Sequence, residues 1–326
     1  MKTLVERFSR QLAEALAIGR GSRFSPSSTP PANVLICGLG GSGIGGSIVS
    51  ELVFSECLAP ITLSKGYFIP AFVNERTLVI ISSYSGNTEE TLNCLELALQ
   101  KKARVACVTS GGKVAEAAKA KNLDHVIVPG GMPPRACLGY SLTQLFFILS
   151  HHRLISENFT ARFEKAVKLL DAEEQQIRAE AENLAAKLVN KLPVIYTTTP
   201  YEGVGIRFRQ QLNENAKILC WHQVIPEMNH NELVGWTQQH PEIEVLIFRD
   251  RDEYSRNDAR IAINKEVISK FANITEIWAR GDSAIEKSIY LIHLGDWISV
   301  LLAEKRGVDA MEINVINHLK GQLAKL

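Results

Sequence analysis

The sequence predicts an α/β protein of two doubly wound parallel sheets, with a helix ahead of the first sheet and another behind the second. Three observations carry that prediction. From residue 33 to about 150, short apolar, β-branched runs alternate with helical patterns, the alternation that builds parallel sheets. A second, less regular alternation begins at Val194 and repeats the order of strand, small polar turn and helix. The length, 326 residues, suits two domains that each bury a core.

Leu4, Phe8, Leu12 and Leu16 recur at helical spacing and predict an N-terminal helix over 3 to about 19. Gly19 to Pro31 is Gly/Ser/Pro-rich and reads as an exposed connection. Strands are expected at Val34–Cys37, Ile61–Leu63, Leu78–Ile81, Val105–Val108 and Val126–Val128, with helices at about 44–56, 88–101 and 113–120. The run after Gly139 is apolar nearly all round, so a buried helix at about 139–154 closes the first half. Residues 160 to 190 are charged and Ala-rich with helical period, a long solvated helix bridging the halves. Strands follow at Val194–Thr198 and about 244–249 and 274–279, with helices at about 202–217, 256–271 and 283–305 and a last one from Met311 to Lys320. The expected division is 1–32, helix and linker; 33–155, first domain; 156–326, second domain with the C-terminal helix.

Charges nearly cancel at net +1, which gives no field to draw nucleic acid or an anionic membrane. No apolar stretch reaches membrane-spanning length, and the charged, amphipathic start is unlike a signal peptide, so a cytosolic protein is expected. The six cysteines, at 37, 57, 94, 107, 137 and 220, lack C-x-x-C spacing, and buried free thiols are expected rather than a metal site.

The chemistry gathers in two loops. Gly38-Leu-Gly-Gly-Ser-Gly-Ile-Gly-Gly-Ser47 and Ser82-Ser-Tyr-Ser-Gly-Asn-Thr-Glu-Glu-Thr91 each follow a strand and precede a helix. Both fall at the carboxyl edge of a parallel sheet, with hydroxyls and amides ahead of a helix N-terminus, which suits a phosphate. Gly38, Gly40 and Gly43 also fit the dinucleotide fingerprint, but Pro60-Ile-Thr-Leu-Ser-Lys65 offers no acidic residue for a ribose. The hydroxyls of the second loop are either helix caps or phosphate ligands; one cap needs one hydroxyl, and Ser82, Ser83, Ser85 and Thr88 supply several. The equivalent turn of the second half, Thr197-Thr-Thr-Pro-Tyr201, lacks glycines and is not expected to hold phosphate.

Arg135 follows the fifth strand at the same edge, either to neutralise an oxyanion or phosphate or as a surface arginine beside a Pro-Pro turn. Arg207, Gln211 and Glu214 share one helix face. Glu214 is by itself an ordinary solvated carboxylate, His230 by itself a structural histidine and Lys320 a helix-dipole partner. Their setting changes that reading: Glu214 stands between two Asn, shortly before Trp221, His222 and Pro226-Glu-Met-Asn-His-Asn-Glu232, and a histidine that ionises near neutrality suits proton work.

The two loops together resemble the sugar isomerase (SIS) domain, whose S-x-S-G-x-T loop holds sugar phosphates. With Pro134-Arg135, Gly139-Tyr140, Asn213-Glu-Asn-Ala-Lys217, Pro226 to Glu232 and Leu319-Lys320, the chain closely resembles the bifunctional phosphoglucose/phosphomannose isomerases from residue 38 onward. The resemblance implies two SIS-type doubly wound parallel-sheet (flavodoxin-like) domains and a homodimer with shared active sites. It further implies that Gly41, Ser42, Ser83, Ser85 and Thr88 bind the phosphate, Arg135 the substrate oxygens, that Glu214 is the base, and that His230, supplied by the neighbouring subunit, and Lys320 assist ring opening. Glucose 6-phosphate and mannose 6-phosphate are then the substrates, with fructose 6-phosphate the product and neither metal nor cofactor. The family usually carries an acidic residue where this chain has Ser47. Two other classes remain: a non-catalytic sugar-phosphate sensor, which would need no Glu214 or His230, and a nicotinamide oxidoreductase.

Overall fold

The computed structural model describes every residue except Ser28, Ala324 and Leu326. The N-terminal segment is two helices, α1 (Lys2–Glu6) and α2 (Phe8–Gly21), rather than one; the backbone turns at Arg7. The first sheet comprises β1 (Asn33–Cys37), β2 (Ile61–Ser64), β3 (Thr77–Ser82), β4 (Arg104–Thr109) and β5 (Asp124–Ile127), alternating with α3 (Gly40–Leu52), α4 (Glu89–Gln100) and α5 (Gly112–Ala120). All its pairs are parallel, in the order β2-β1-β3-β4-β5. That order reverses between β1 and β3, where open α/β sheets form ligand crevices. Helix α3 starts four residues earlier than the expected 44, because glycines that disfavour a helix in isolation sit here where tertiary closeness demands them.

The chain continues through α6 (Leu138–His151) and α7 (Phe159–Leu188) into a second sheet. Its strands are β6 (Leu192–Thr198), β7 (Trp221–Ile225), β8 (Ile243–Arg249) and β9 (Asn273–Trp278), parallel in the order β7-β6-β8-β9. Helix α8 (Glu202–Ala216) joins β6 to β7, α9 (Ser255–Ile268) joins β8 to β9, and α10 (Ala284–Lys305) and α11 (Asn314–Leu323) end the chain. Strand β7 escapes sequence patterning because it is an edge strand with only Ile225 buried, so it needs no apolar run. Both sheets are of the flavodoxin-like order, the second one strand shorter.

One hydrophobic cluster runs from α2 and α6 through α7, α8 and α10 and joins the inner faces of both sheets. Helix α7 is less solvated than its charge suggests, since Phe163, Ala166, Leu170, Ile177, Ala181 and Leu184 bury a stripe at helical spacing. Helix α10 is buried almost throughout, so the polar Asp296 and Ser299 within it need partners.

Candidate active site

At the edge of the first sheet, α3 and α4 both begin without a side-chain cap: Leu39 has no polar group, and the Thr88 hydroxyl makes no capping bond. Their first amides are therefore left for another acceptor, with the positive ends of two helix dipoles at neighbouring strands β1 and β3. The loop hydroxyls brace the crevice. Tyr84 N donates to Ser42 Oγ at 2.9 Å, Ser82 Oγ to Ser42 O at 3.2 Å, Ser83 Oγ to Thr88 Oγ1 at 3.3 Å, and Asn87 N to Ser85 Oγ at 3.3 Å. Ser42 and Ser83 are buried, Thr88 is half-buried and Ser85 is exposed. Gly43 is required here, because a Cβ on it would lie 2.4 Å from Gly38 O.

Gly41 ties this cradle to Arg135. A Cβ at residue 41 would stand 2.9 Å from Pro134 O and from Arg135 N, so glycine lets α3 pack on that peptide. Arg135 is not a surface residue; it is 4% exposed on a short 3-10 turn, Pro134–Ala136, and reaches into the second half of the chain. Its Nε donates to Asn215 Oδ1 at 2.8 Å, Nη1 to Glu214 Oε2 at 3.3 Å and Nη2 to Ala310 O at 2.7 Å. Burial pushes the guanidinium pKa down, against the pull of Glu214 and Asp309, and the group stays charged.

Glu214 stands near the C-terminus of α8 with 29% of its side chain exposed, an ion pair to Arg135 on one oxygen. The flanking asparagines explain the Asn-Glu-Asn spacing. Asn215 holds Arg135, while Asn213 Nδ2 donates to Ile218 O at 2.7 Å and secures the turn after the helix. Lys217, left-handed at φ 57°, donates to Glu214 O and to Asp309 O. Arg207 and Gln211 share the expected face but turn to Asp296, a partner sequence reading missed; the signal was a lone carboxylate in an otherwise apolar helical run.

His230 and Lys320 are not brought to this pair. His230 is exposed on a 3-10 turn, Glu227–His230, and Lys320 is exposed on α11. Among the described residues neither side chain makes a hydrogen bond. Glu232 anchors the His230 segment, accepting from Tyr196 OH at 2.5 Å and Trp221 Nε1 at 3.2 Å.

The comparisons decide the family. The family described as "Bacterial phospho-glucose isomerase C-terminal SIS domain" matches residues 177–323. A "Bifunctional phosphoglucose/phosphomannose isomerase" of Caldicellulosiruptor bescii is 35% identical over 99% of this chain and 98% of its own length. One from Thermoplasma acidophilum is 36% identical over 90% of each. The chain belongs to the bifunctional phosphoglucose/phosphomannose isomerase family. The fold alone is shared with the C-terminal domain of glucosamine-fructose-6-phosphate aminotransferase from Francisella tularensis, at a TM-score of 0.75 and 13% identity over 95% of this chain and 96% of the other. A phosphosugar isomerase needs an anion cradle, a base and a cation for enediolate charge, and the first-sheet edge, Glu214 and Arg135 offer these chemistries. Ser47 also gains a setting: its buried Oγ has no partner among the described residues, and Glu51, one turn on, supplies a carboxyl group that accepts from Gly203 N. Among the described residues, no three His, Cys, Asp or Glu side chains group to hold a metal ion, and no helix is long and apolar enough to cross a membrane. Four of the six free cysteines are buried, and Cys57 and Cys220 are half-buried.

Proposed function

We propose that this chain interconverts glucose 6-phosphate and mannose 6-phosphate with fructose 6-phosphate through a cis-enediol, without a metal. The observation that carries the reading is the Arg135–Glu214 pair, 3.3 Å apart and joined through Gly41 to two uncapped helix N-termini. Gly41, Ser42, Ser83, Ser85 and Thr88 take the phosphate, whose affinity orients the reacting carbons. Glu214 removes the C2 proton and returns it to C1, while Arg135 offsets the enediolate charge. The two aldoses differ only at C2 and share that enediol.

Ring opening, which moves a proton between the anomeric hydroxyl and the ring oxygen, falls to His230 and Lys320. Both project into solvent, which suits a homodimer in which His230 serves the neighbouring site. Exposed apolar side chains support that assembly: Val315, Leu319 and Leu323 on α11, with Leu219 and Val234 flanking β7. Residues 33–155 and 156–326 act as the phosphate-binding and base-bearing domains. Six free thiols and phosphorylated substrates suit a reducing cytosol.

A coupled assay of purified protein with each sugar phosphate, before and after exhaustive EDTA treatment, tests the reading. Both sugars should turn over, with efficiencies within about two powers of ten of each other, and chelation should change neither. Turnover of glucose 6-phosphate alone would make the enzyme monofunctional, turnover of neither would leave a binding protein, and zinc-dependent recovery would overturn the metal-free mechanism.

A further inference from the structure

Beneath Arg135 lies an ion pair that the isomerase chemistry does not use. Arg207 on α8 and Asp296 on α10 meet at 2.6 Å with side chains 3% and 6% exposed. Gln211 Nε2 donates to the other Asp296 oxygen at 2.8 Å. Arg207 Nη2 also donates to Arg135 O at 3.0 Å. The main chain of Asp296 accepts from Ser299 Oγ at 2.7 Å, and that hydroxyl receives Asn215 Nδ2 at 2.9 Å. Asn215 in turn holds Arg135 Nε. The ion pair thus grips Arg135 at its carbonyl through Arg207, while the guanidinium is held through Asn215 and Ser299 from the backbone of the same α10 turn.

Stability does not account for this arrangement. Two charges taken out of water lose solvation that their attraction only partly returns, and apolar residues of like volume often serve as well. Arg207 Nε is moreover buried with no partner among the described residues, a further cost that a merely stabilising pair would not carry. What the pair does hold is the Arg135 backbone, against which Gly41 of the phosphate cradle packs.

We propose that Arg207 and Asp296 are positioning residues that fix Arg135 relative to both Glu214 and the phosphate cradle, so that its guanidinium meets charge that appears only during reaction. The inference rests on the isomerase reading. Both bonds leave from one Arg207 nitrogen, Nη2; Arg207→Lys keeps the charge on a side chain one bond shorter, which cannot set its nitrogen where Nη2 serves Asp296 and Arg135 O together, and Asp296→Asn keeps the shape but not the charge. Each should lower kcat about tenfold or more while KM for fructose 6-phosphate moves less than about threefold, because an interaction made in the transition state has been misaligned.

The decisive readout is inhibitor binding by calorimetry at a temperature where circular dichroism shows each variant folded. A five-carbon aldonate 5-phosphate, whose carboxylate mimics the enediolate, should lose affinity in step with kcat. A six-carbon alditol 6-phosphate, neutral at the reacting end, should bind as to the unaltered protein. Equal losses for both inhibitors, or unchanged kcat in folded variants, would overturn the positioning role. Absence of turnover in the unaltered protein would instead overturn the isomerase reading, and the pair of inhibitors would still report on Arg135.

Discussion

The two sheets share a topology, yet their carboxyl edges are opposites. In the first, α3 follows β1 and opens on glycines with no cap, leaving a positive helix end to the crevice. In the second, α8 follows β6 in the same position, and its Gly203 N is taken by both oxygens of Glu51, at 2.7 and 3.0 Å. The rest of that edge is acidic. Asp250 and Asp252 receive Lys287, Asp250 also receives Tyr201 OH, and Glu253 receives Thr198 Oγ1 at 2.9 Å. A phosphate there would meet like charges already paired. The first copy, through Glu51 of α3, closes the helix N-terminus of the second with a carboxyl, and the second presents a carboxylate, Glu214, near the C-terminus of the same helix. Under the proposed function, one copy binds with the start of its helix and the other does chemistry with the end of its own.

If that division of labour holds, Glu214→Gln gives the largest effect. Turnover of either sugar should fall about a thousandfold, the scale of a lost general base, with calorimetric affinity for sugar phosphate nearly unchanged. Near-normal turnover would remove Glu214 from the mechanism. Mixing this variant with an inactive His230→Ala variant should restore part of the activity through hybrid dimers. No rescue, with subunit exchange verified, would mean that each site is built from one chain.

A smaller effect separates the two edges directly. Thr88→Val removes a hydroxyl beside an uncapped helix at nearly constant volume and should raise KM about tenfold, the worth of one hydrogen bond to a charged group. Thr198→Val removes the corresponding kind of group from the acidic edge. It should leave KM alone and cost roughly 1 kcal/mol of stability through the lost bond to Glu253, read from chemical denaturation. Equal changes in KM would erase the contrast.

Much of this contrast was legible in the sequence, because it is written locally. Glycines 38 to 46, the serine loop and the glycine-free turn at 197–201 each announce their own backbone chemistry. Asn213-Glu-Asn215 announced a site without saying how it works, since Asn215 acts on an arginine 80 positions away. The same limit hid Asp296 and Glu51: a carboxylate in a helix reads as solvated until packing supplies its partner. Strand β7 was invisible for the converse reason, an edge position that asks little of its side chains. Arg135 was ambiguous at its turn and became a buried contact between the two halves of the chain only once α8 was in place.

The last effect concerns stability alone, at Glu51, the carboxyl that α3 places on the second edge. Burial pushes its carboxyl up to about 8 from an ordinary 4.5, with Glu202 adding to the shift and the Gly203 amide and Lys65 opposing it. Between those two values the unfolded chain has released this proton while the folded chain still holds it, so the folded state binds more protons and loses stability as pH rises. The contribution is fully present below about pH 4.5 and gone above about pH 8. A glutamine in its place would titrate in neither state and would keep a carbonyl oxygen for Gly203 N. Glu51→Gln should therefore match the unaltered protein near pH 5 and gain on it up to pH 9. The gain should be on the order of 1–2 kcal/mol, less than burial alone implies because the α8 N-terminus favours the ionised carboxylate. Urea denaturation across that range measures it. Parallel stability profiles for the two proteins would mean that Glu51 is ionised throughout, and that the second edge carries its anion as a full charge at neutral pH.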